Sequence, residues 1–315
     1  MGTRVSVIIP TANRPEFLAQ ALGSVRALEG PDLQLEAIVV DDGNDQRTPA
    51  AAADYMARYV RSSVHGPAGA RNCGLRVASG EFVAFLDDDD AWLPGHVRPH
   101  IKVMRERPDV AAVFGQIVNF DHELREHASP WPDPFPAGAT PFARVFGYQP
   151  QIGATVIRAT AIATVGDFDE QLLGDEDWDW QLRLALALPV AFVAVPSVAY
   201  RCRPDGQLES DELEWLRMRF FDRVYWRNVR RAARARPSWP AIVRAYLRRR
   251  GQYAAQFMDS AFAHAIAGDD KAARRQLVRG LRASPLHWSL WLARQRPAGR
   301  AIFRAAALGS GAARP

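Results

Sequence analysis

The sequence predicts an α/β fold with a mostly parallel central sheet flanked by helices, followed by a C-terminal α-helical region. In the first two hundred residues, short β-branched apolar runs alternate with segments of helical periodicity. The charge also changes sign along the chain: residues 1–216 hold 18 Lys and Arg against 31 Asp and Glu, whereas residues 217–315 hold 22 against 4. We therefore expect an α/β domain over residues 1–209 and a basic α-helical region over residues 210–315.

Composition places the chain among soluble globular proteins, with 48% hydrophobic and 24% charged residues. Cys73 and Cys202 give no disulfide framework and no CxxC metal spacing, which is typical of a reducing compartment. A strand begins within a few residues of the N-terminus, so we expect no signal peptide and a cytoplasmic location. The apolar stretch Leu184–Tyr200 is short and holds two prolines, which indicates a buried helix end and a strand rather than a membrane span.

The first strand–helix–strand unit covers about forty residues. Val5–Ile9 and Ala37–Val40 are β-branched runs, and Pro15–Leu28 between them has helical spacing of its apolar residues. Asn13 is placed to cap this helix and Pro15 lies in its first turn. This is the βαβ unit of a parallel sheet.

The alternation continues through a helix near Ala50–Tyr59 to an apolar strand at Phe82–Leu86. No G-x-G-x-x-G and no P-loop follows the first strand. The sequence therefore does not favour a dinucleotide-dependent oxidoreductase or a P-loop NTPase, because the motif on which each assignment mainly depends is missing.

Four carboxylates, Asp87–Asp90, follow the strand directly and form a first acidic group. Ligands collect at the carboxyl ends of such strands, and adjacent anions repel one another unless a cation neutralises them. Carboxylate oxygens suit Mg²⁺ or Mn²⁺, so the pattern indicates a divalent-metal site. The alternative is a solvated acidic loop.

A second acidic group lies in Gly174–Trp180, with the sequence GDEDWDW, at the start of an apolar helical pattern. Acids at a helix N-terminus interact favourably with the helix dipole, and that alternative accounts for some of them. A carboxylate beside two tryptophans also has the surroundings that raise a pKa and favour a general base.

Four segments together resemble the inverting glycosyltransferases of family 2, which have the GT-A fold: VSVIIPTANRPEFLAQALGSV, IVVDDG, GPAGARNCGLRVASGEFVAFLDDDD and VGDFDEQLLGDEDWDWQLRLA. The resemblance runs in order over roughly the first two hundred residues. It implies a nucleotide-sugar donor, a Mn²⁺ or Mg²⁺ ion, a saccharide or lipid-linked acceptor, and one catalytic carboxylate.

For the nucleotide, the resemblance implies that Pro10, Thr11, Asn13 and Arg14 contact the base and ribose. It also implies that Asp42 accepts the N3–H of uracil, although thymine and guanine offer a similar donor. The UDP-sugar is therefore the expected donor without being the only one that fits.

For the diphosphate, the resemblance places Arg71, with Asn72, at a helix start that approaches the pyrophosphate; pairing of Arg71 with the acidic group is the alternative. The D-x-D spacing makes Asp89 the metal ligand together with Asp87, while Asp87 and Asp88 face the ribose or metal-bound water. Tyr200 and Arg201, followed by Arg203, resemble a loop that closes over the donor, and the sequence departs here from the commoner family pattern, which often has His after the Tyr-Arg pair.

For the chemistry, the resemblance selects Asp177 as the general base that takes the acceptor's proton. The region Phe114–Pro150 and the loop Gln151–Thr155 would meet the acceptor. Two other functions stay open: a catalytically idle scaffold of the same fold, and a sugar nucleotidyltransferase, which would release pyrophosphate.

The C-terminal region is helical in pattern and dense in arginine, and Ala261–Pro285 resembles one tetratricopeptide-like hairpin. Its basic helices have two interpretations: a cap that packs on the acidic domain, or peripheral contact with an anionic membrane. Nucleic acid is a rival partner for any basic patch, and we do not expect it here.

Overall fold

The computed structural model of the chain describes residues 2–121, 125, 129–132, 140–202, 211–233 and 239–287. The chain divides into two compact units. The first comprises Met1–Gly206 with Trp226–Ser238, and the second comprises Gln207–Tyr225 with Trp239–Pro315. The predicted boundary at 209/210 and Arg203 lie outside the described residues. The same holds for residues 306–315, whose sequence, AALGSGAARP, is typical of a loose tail.

A single mixed sheet forms the centre of the first unit. Within the described residues its order is β3-β2-β1-β4-β7-β6-β8-β5. The strands are β1 (Thr3–Thr11), β2 (Leu33–Asp41), β3 (Arg58–Arg61), β4 (Phe82–Phe85), β5 (Ala91–Trp92), β6 (Ala112–Phe120), β7 (Thr155–Arg158) and β8 (Val190–Arg201). The predicted α/β class is confirmed, and β7 and β5 add antiparallel pairs to the parallel ladders around β1.

Helices cover the sheet because their apolar faces match its buried strands. They are α1 (Pro15–Arg26), α2 (Thr48–Asp54), α3 (Pro67–Val77), α4 (Arg98–Glu106), α5 (Pro141–Tyr148), α6 (Ala159–Val165) and α7 (Glu176–Ala187), with a 3₁₀ turn at Ile152–Ala154. Helix α3 approaches β1 closely at Gly74, where an added Cβ would lie 2.4 Å from Cγ2 of Ile8. Glycine at that position therefore fixes how near α3 lies to the sheet.

Two local predictions are wrong. Asn13 does not cap α1: its φ is +58°, its Oδ1 accepts the backbone N–H groups of Asn44 and Asp45, and the N-cap is Arg14. The helix expected near Ala50–Tyr59 ends at Asp54, and β3 follows it. Because β3 exists through its parallel pairing with β2, a distant segment, its own four residues carry little signal.

The second unit is helical, as predicted, and contains α9 (Trp239–Ala267), α10 (Asp270–Ala283) and the first part of α8 (Asp211–Ala232). Its centre is aromatic: the rings of Phe221 and Tyr246 stack at 5.8 Å. Gly268, with φ +80°, makes the turn between α9 and α10, and Asp269 caps α10 through the N–H of Ala272. Over the part of the chain that is described, no helix is both long enough and apolar enough to span a bilayer.

Candidate active site

The site lies where three parallel strands end. Strand β1 pairs with β2 on one side and β4 on the other, so the order of the chain reverses between β1 and β4. Thr11, at the end of β1, is level with Asp41 at the end of β2, and Asp87 comes two residues after β4 ends. In open α/β sheets this switch point is where ligands bind.

Successive side chains of the first acidic group alternate between partly exposed and buried positions. The side chains of Asp87 and Asp89 are 29% and 14% exposed, whereas Asp88 and Asp90 are buried. The D-x-D pair selected from the sequence thus reaches the surface, whereas Asp88, between its two members, and Asp90, after it, do not.

The two buried carboxyls hold the loop in place. Asp88 accepts a hydrogen bond from Oγ1 of Thr11 at 2.6 Å and pairs with Nη2 of Arg14 at 2.6 Å. Burial raises the pKa of Asp88 to about 6, although Arg14 opposes this. Asp90 accepts the backbone N–H of Arg201 at 2.9 Å, and burial raises its pKa well above the ordinary value. Thr11 and Arg14 therefore support the acidic loop as well as lying near the expected nucleotide position.

Arg201 also supports the first acidic group. From the sequence, this residue was assigned only to a loop that closes over the donor. Its Nε donates to the backbone oxygen of Asp89 at 2.7 Å, and its Nη2 donates to Oε1 of Gln20 at 2.7 Å. The guanidinium lies over the ring of Phe17 at 4.9 Å. Arg201 thereby connects β8, α1 and the acidic loop.

Arg71 joins the two acidic groups. It is buried on α3, and its Nη2 lies 2.8 Å from Oδ1 of Asp87 while its Nη1 lies 2.7 Å from Oε1 of Glu176. One guanidinium therefore contacts both groups, which are almost ninety residues apart in the chain. This is the arrangement expected if Arg71 pairs with the acidic group, and it brings the start of α7 to the carboxyl end of β4.

Asp177 lies in the first turn of α7 next to this bridge and is partly exposed. Burial, most of all, and the neighbouring Glu176 carboxylate raise the pKa of Asp177, and Arg71 opposes them; together they leave it at about 7. Trp178 and Trp180 are buried on the same turn and donate from their indole N–H groups to backbone oxygens. The raised pKa is compatible with a general base, and the assignment of that role to Asp177 stays a prediction.

Helix α7 is held from its other face through Asp179, a role that the sequence did not reveal. This buried carboxylate accepts from Nε of Arg183 at 3.0 Å and from Nδ2 of Asn228 at 2.8 Å. Arg227 and Arg231 pair with it at 2.9 and 3.3 Å. The pairing with Arg183, four residues along the same helix, could be predicted from the sequence spacing. The α8 residues are about fifty positions away in the chain, so no local pattern predicts their contacts with Asp179.

The end of the site where the sequence predicts the nucleotide is formed by Asp41, the last residue of β2, and by Asp42, which follows it. Asp41 is buried and accepts from the Tyr59 hydroxyl at 2.8 Å, so it holds the end of β2 against β3. Asp42 is 15% exposed, lies 2.6 Å from Nδ1 of His65 and accepts the N–H of Gly66 at 2.7 Å. Asp42 is thus the member of the pair that reaches the surface.

The turn after β1 meets the turn after β2 at this end. A Cβ at Gly43 would lie 2.5 Å from the backbone nitrogen of Asn13, so only glycine allows the approach. Pro10 is buried within β1, and Asn72 is buried on α3, donating to the backbone oxygen of Phe168 at 3.0 Å. Asn72 and Pro10 therefore have structural surroundings, and any contact they make with a nucleotide stays a prediction.

The carboxylate pair of the first acidic group suits a divalent cation that is held together with substrate phosphates. The donors that reach the surface, Asp87 and Asp89, are carboxylates, and Arg71 and Arg14 pair with them at 2.8 and 3.2 Å. Among the described residues no three metal-ligating side chains gather into a closed site. Mg²⁺ is usually held by one or two carboxylates together with substrate phosphates, so an open pair of this kind suits it.

Comparison with known proteins identifies the domain. Residues 6–154 match the model of the family described as "Glycosyl transferase family 2". Residues 6–154 belong to glycosyltransferase family 2. The match contains β1 to β4, the first acidic group and Arg71, while the second acidic group lies beyond it.

Solved structures share the fold over most of the chain. S. aureus TarS, residues 1–349, has a TM-score of 0.55 at 16% identity, and the match covers 89% of this chain and 91% of that one. The same protein "in complex with UDP-GlcNAc" gives a TM-score of 0.56 at 16% identity, with the same coverage. At this identity the likeness shows the fold, and the predicted GT-A fold of this family 2 domain is confirmed.

Curated relatives match shorter stretches. The Campylobacter jejuni "GalNAc(5)-diNAcBac-PP-undecaprenol beta-1,3-glucosyltransferase" is 37% identical over 36% of this chain and 37% of its own length. The Escherichia coli "UDP-Glc:alpha-D-GlcNAc-diphosphoundecaprenol beta-1,3-glucosyltransferase WfgD" is 28% identical over 40% of this chain and 51% of its own length. An "Uncharacterized glycosyltransferase" of Rickettsia felis is 36% identical over 33% of this chain, and the match spans only 18% of that protein.

Proposed function

We propose that the protein is an inverting, metal-dependent glycosyltransferase that moves a sugar from a UDP-sugar to an acceptor hydroxyl. The observation that carries this proposal is the Arg71 bridge, because it puts the D-x-D pair and Asp177 at one edge of the sheet. A carboxylate pair for the diphosphate and a basic carboxyl for the acceptor are the two parts that inverting sugar transfer needs.

The donor occupies the switch point between β1 and β4. Asp42 accepts the N3–H of the uracil, since an ionised carboxylate offers only acceptors to an imide donor. The turn Pro10–Arg14 lies beside the base and ribose, and Asp88 supports it through Thr11 and Arg14. A UDP-sugar is favoured because the TarS structure was solved with UDP-GlcNAc and the E. coli relative is named for UDP-Glc.

Asp177 acts as the general base. As the acceptor oxygen attacks the anomeric carbon, its proton passes to the Asp177 carboxylate, and the bond from that carbon to the diphosphate oxygen breaks. Attack on the face opposite the leaving group inverts the anomeric configuration. Arg71 donates to both α7 and the first acidic group and so holds them next to each other, which keeps Asp177 beside the donor.

Asp89, with Asp87, would hold Mg²⁺ or Mn²⁺. When bound, the ion supplies positive charge that stabilises the departing nucleoside diphosphate. Nη1 of Arg14 pairs with Asp89 at 3.2 Å, and a bound ion would compete with that pairing.

The acceptor is a saccharide or a lipid-linked saccharide in cell-surface polysaccharide or glycoconjugate synthesis. Both the C. jejuni and the E. coli relatives are named for undecaprenol-diphosphate acceptors. A cytoplasmic position at the inner face of the membrane forms part of the same proposal.

The test is transfer by purified Asp177→Asn protein, with Asp175→Asn from the same acidic group as its matched control. We expect Asp177→Asn to lose at least about a hundredfold in kcat while its donor affinity stays unchanged, because a general base is worth 10²–10⁴. Asp175→Asn should retain most of the activity. Unchanged turnover of Asp177→Asn would refute the base assignment, and release of pyrophosphate instead of UDP would indicate a nucleotidyltransferase.

Asp89→Ala separates the metal role from the base role. This variant should lose the Mn²⁺-dependent part of UDP binding in calorimetry, since it removes the predicted ligand. Full metal-dependent affinity in Asp89→Ala would contradict the assignment.

A further inference from the structure

The second unit contains a groove lined by arginine that the proposed reaction does not use. Its volume is about 390 Å³. The lining residues are Trp215 from α8 and Arg274, Arg275, Val278, Arg279 and Arg282 from α10. Four guanidinium groups and one aromatic wall are the surroundings that suit a phosphate attached to an apolar body.

Contacts within the unit hold part of this groove rigid. Arg279 is buried, donates to the backbone oxygen of Asp211 at 2.9 Å and lies over the ring of Trp215 at 5.4 Å. Glu212 pairs with Arg279 at 2.6 Å and with Arg275 at 3.1 Å. The base of the groove is thus preorganised, while Arg274 and Arg282 lie at its exposed rim.

Helix α10 combines this rim with exposed apolar side chains. Positions 271, 274, 275, 278, 281 and 282 are exposed along one face, and the opposite face is buried. Val278 and Leu281 on the exposed face are 48% and 44% exposed, between the arginines. Apolar side chains between cations at helical spacing are typical of helices that lie in a membrane interface.

The charge along the chain favours the same partner. From residue 271 to residue 315 the sequence contains one Lys and nine Arg and no Asp or Glu. A segment of this composition is attracted to a surface of dense negative charge.

We propose that this groove binds the phosphate headgroups of an anionic lipid bilayer, so that the exposed face of α10 lies in the membrane interface. The arginines at the rim pair with phosphate oxygens, and Val278 and Leu281 enter the level of the acyl-chain boundary. The proposal concerns binding alone and does not depend on sugar transfer.

The experiment measures flotation of the full chain with vesicles of phosphatidylglycerol and phosphatidylcholine in equal parts, and with pure phosphatidylcholine vesicles. We expect binding to the anionic vesicles only, weakened by high salt. The R274Q/R282Q variant should lose roughly 30-fold in partitioning, because each cation near an anionic surface contributes about 1 kcal/mol. The matched control is R244Q/R248Q, which removes two exposed arginines from α9.

A second variant, V278S/L281S, distinguishes a bilayer from a soluble phosphate. It should lose roughly tenfold in vesicle binding, because it removes apolar groups from the interface, and should bind inorganic polyphosphate as the unchanged protein does. All these side chains are exposed, so thermal unfolding should match the unchanged protein.

Four results would overturn the proposal. Three of them are equal binding to pure phosphatidylcholine, an equal loss in R244Q/R248Q, and full vesicle binding by V278S/L281S. Loss of polyphosphate binding by R274Q/R282Q with vesicle binding intact would identify a soluble ligand and also overturn it.

Discussion

At the scale of single residues, the site depends on how Arg71 and Glu176 act on Asp177 in opposite directions. The pKa of Asp177 is about 7, because burial and the Glu176 carboxylate raise it while the Arg71 guanidinium lowers it. A base with a pKa near the working pH combines a useful ionised fraction with real proton affinity. Arg71 therefore has an electrostatic role in addition to joining the two acidic groups.

This balance predicts the pH dependence of turnover. Because the base acts when ionised, kcat should rise about tenfold per pH unit below pH 7 and level off above it. In Arg71→Gln the lowering effect is lost, so the rising limb should move to higher pH, whereas Arg71→Lys should keep it near its original position. The measurement is a pH–rate profile at saturating donor, and a limb that does not move in Arg71→Gln would contradict the role of Arg71.

At the scale of elements, α4 carries two buried imidazoles that the reaction does not involve. His96, just before the helix, and His100, within it, are buried with ring centroids 4.6 Å apart, and Trp92 packs on His96 at the same distance. Burial lowers the pKa of His100 to about 4 and lowers that of His96 well below the ordinary 6.5. Both rings are therefore neutral in the folded protein.

Acid should destabilise the fold through this pair. Below pH 6.5 the unfolded chain binds protons at both histidines while the folded chain does not, so stability present at neutral pH is lost as the pH falls towards 4. We expect a slope of about 1.4 kcal/mol per pH unit for each histidine. Urea unfolding from pH 7 to pH 4.5 measures it, with a His96→Leu/His100→Leu protein as the comparison; equal slopes in the two proteins would assign the effect elsewhere.

The elements that the sequence located are those whose signal is local. Strands β1, β2 and β4 and helix α1 have their own apolar periodicity, and the acidic groups come directly after a strand and at the start of a helix. Strand β3 exists through pairing with β2, and the Asn13 amide binds the turn after β2 instead of capping α1. For the same reason Asp87, Asp89 and Asp177 could be selected as candidates from the sequence, whereas the contacts of Arg201 and Asn228, which join distant parts of the chain, could not be predicted.

At the scale of the whole molecule, the two units do not follow the change in charge along the sequence. The sequence predicts a division at 209/210, and Trp226–Ser238, within the basic part of the chain, clusters with the first unit. The reason lies at Asp179, where Arg227, Asn228 and Arg231 supply charge and a hydrogen bond to a buried carboxylate on α7. Part of the basic region is thus a component of the catalytic unit.

A chain ending at 209 should therefore be less stable than one ending at 238. Removing residues 226–238 takes Arg227, Asn228 and Arg231 away from the Asp179 carboxylate and leaves Arg183 as its remaining partner among these residues. Because the deletion also exposes the carboxylate to water, the loss should not exceed the roughly 3–5 kcal/mol of a pair broken while its charge stays buried. Thermal and urea unfolding of the two shortened proteins measures the difference. Asn228→Ala in the full chain is the matched control, and it should show a smaller loss of about 1–3 kcal/mol because one donor to a buried charge is removed.

Because α7 also carries Asp177, the chain ending at 209 should lose transfer activity even at temperatures where it stays folded. Equal stability and equal activity of the two shortened proteins would show that α7 holds its position without α8.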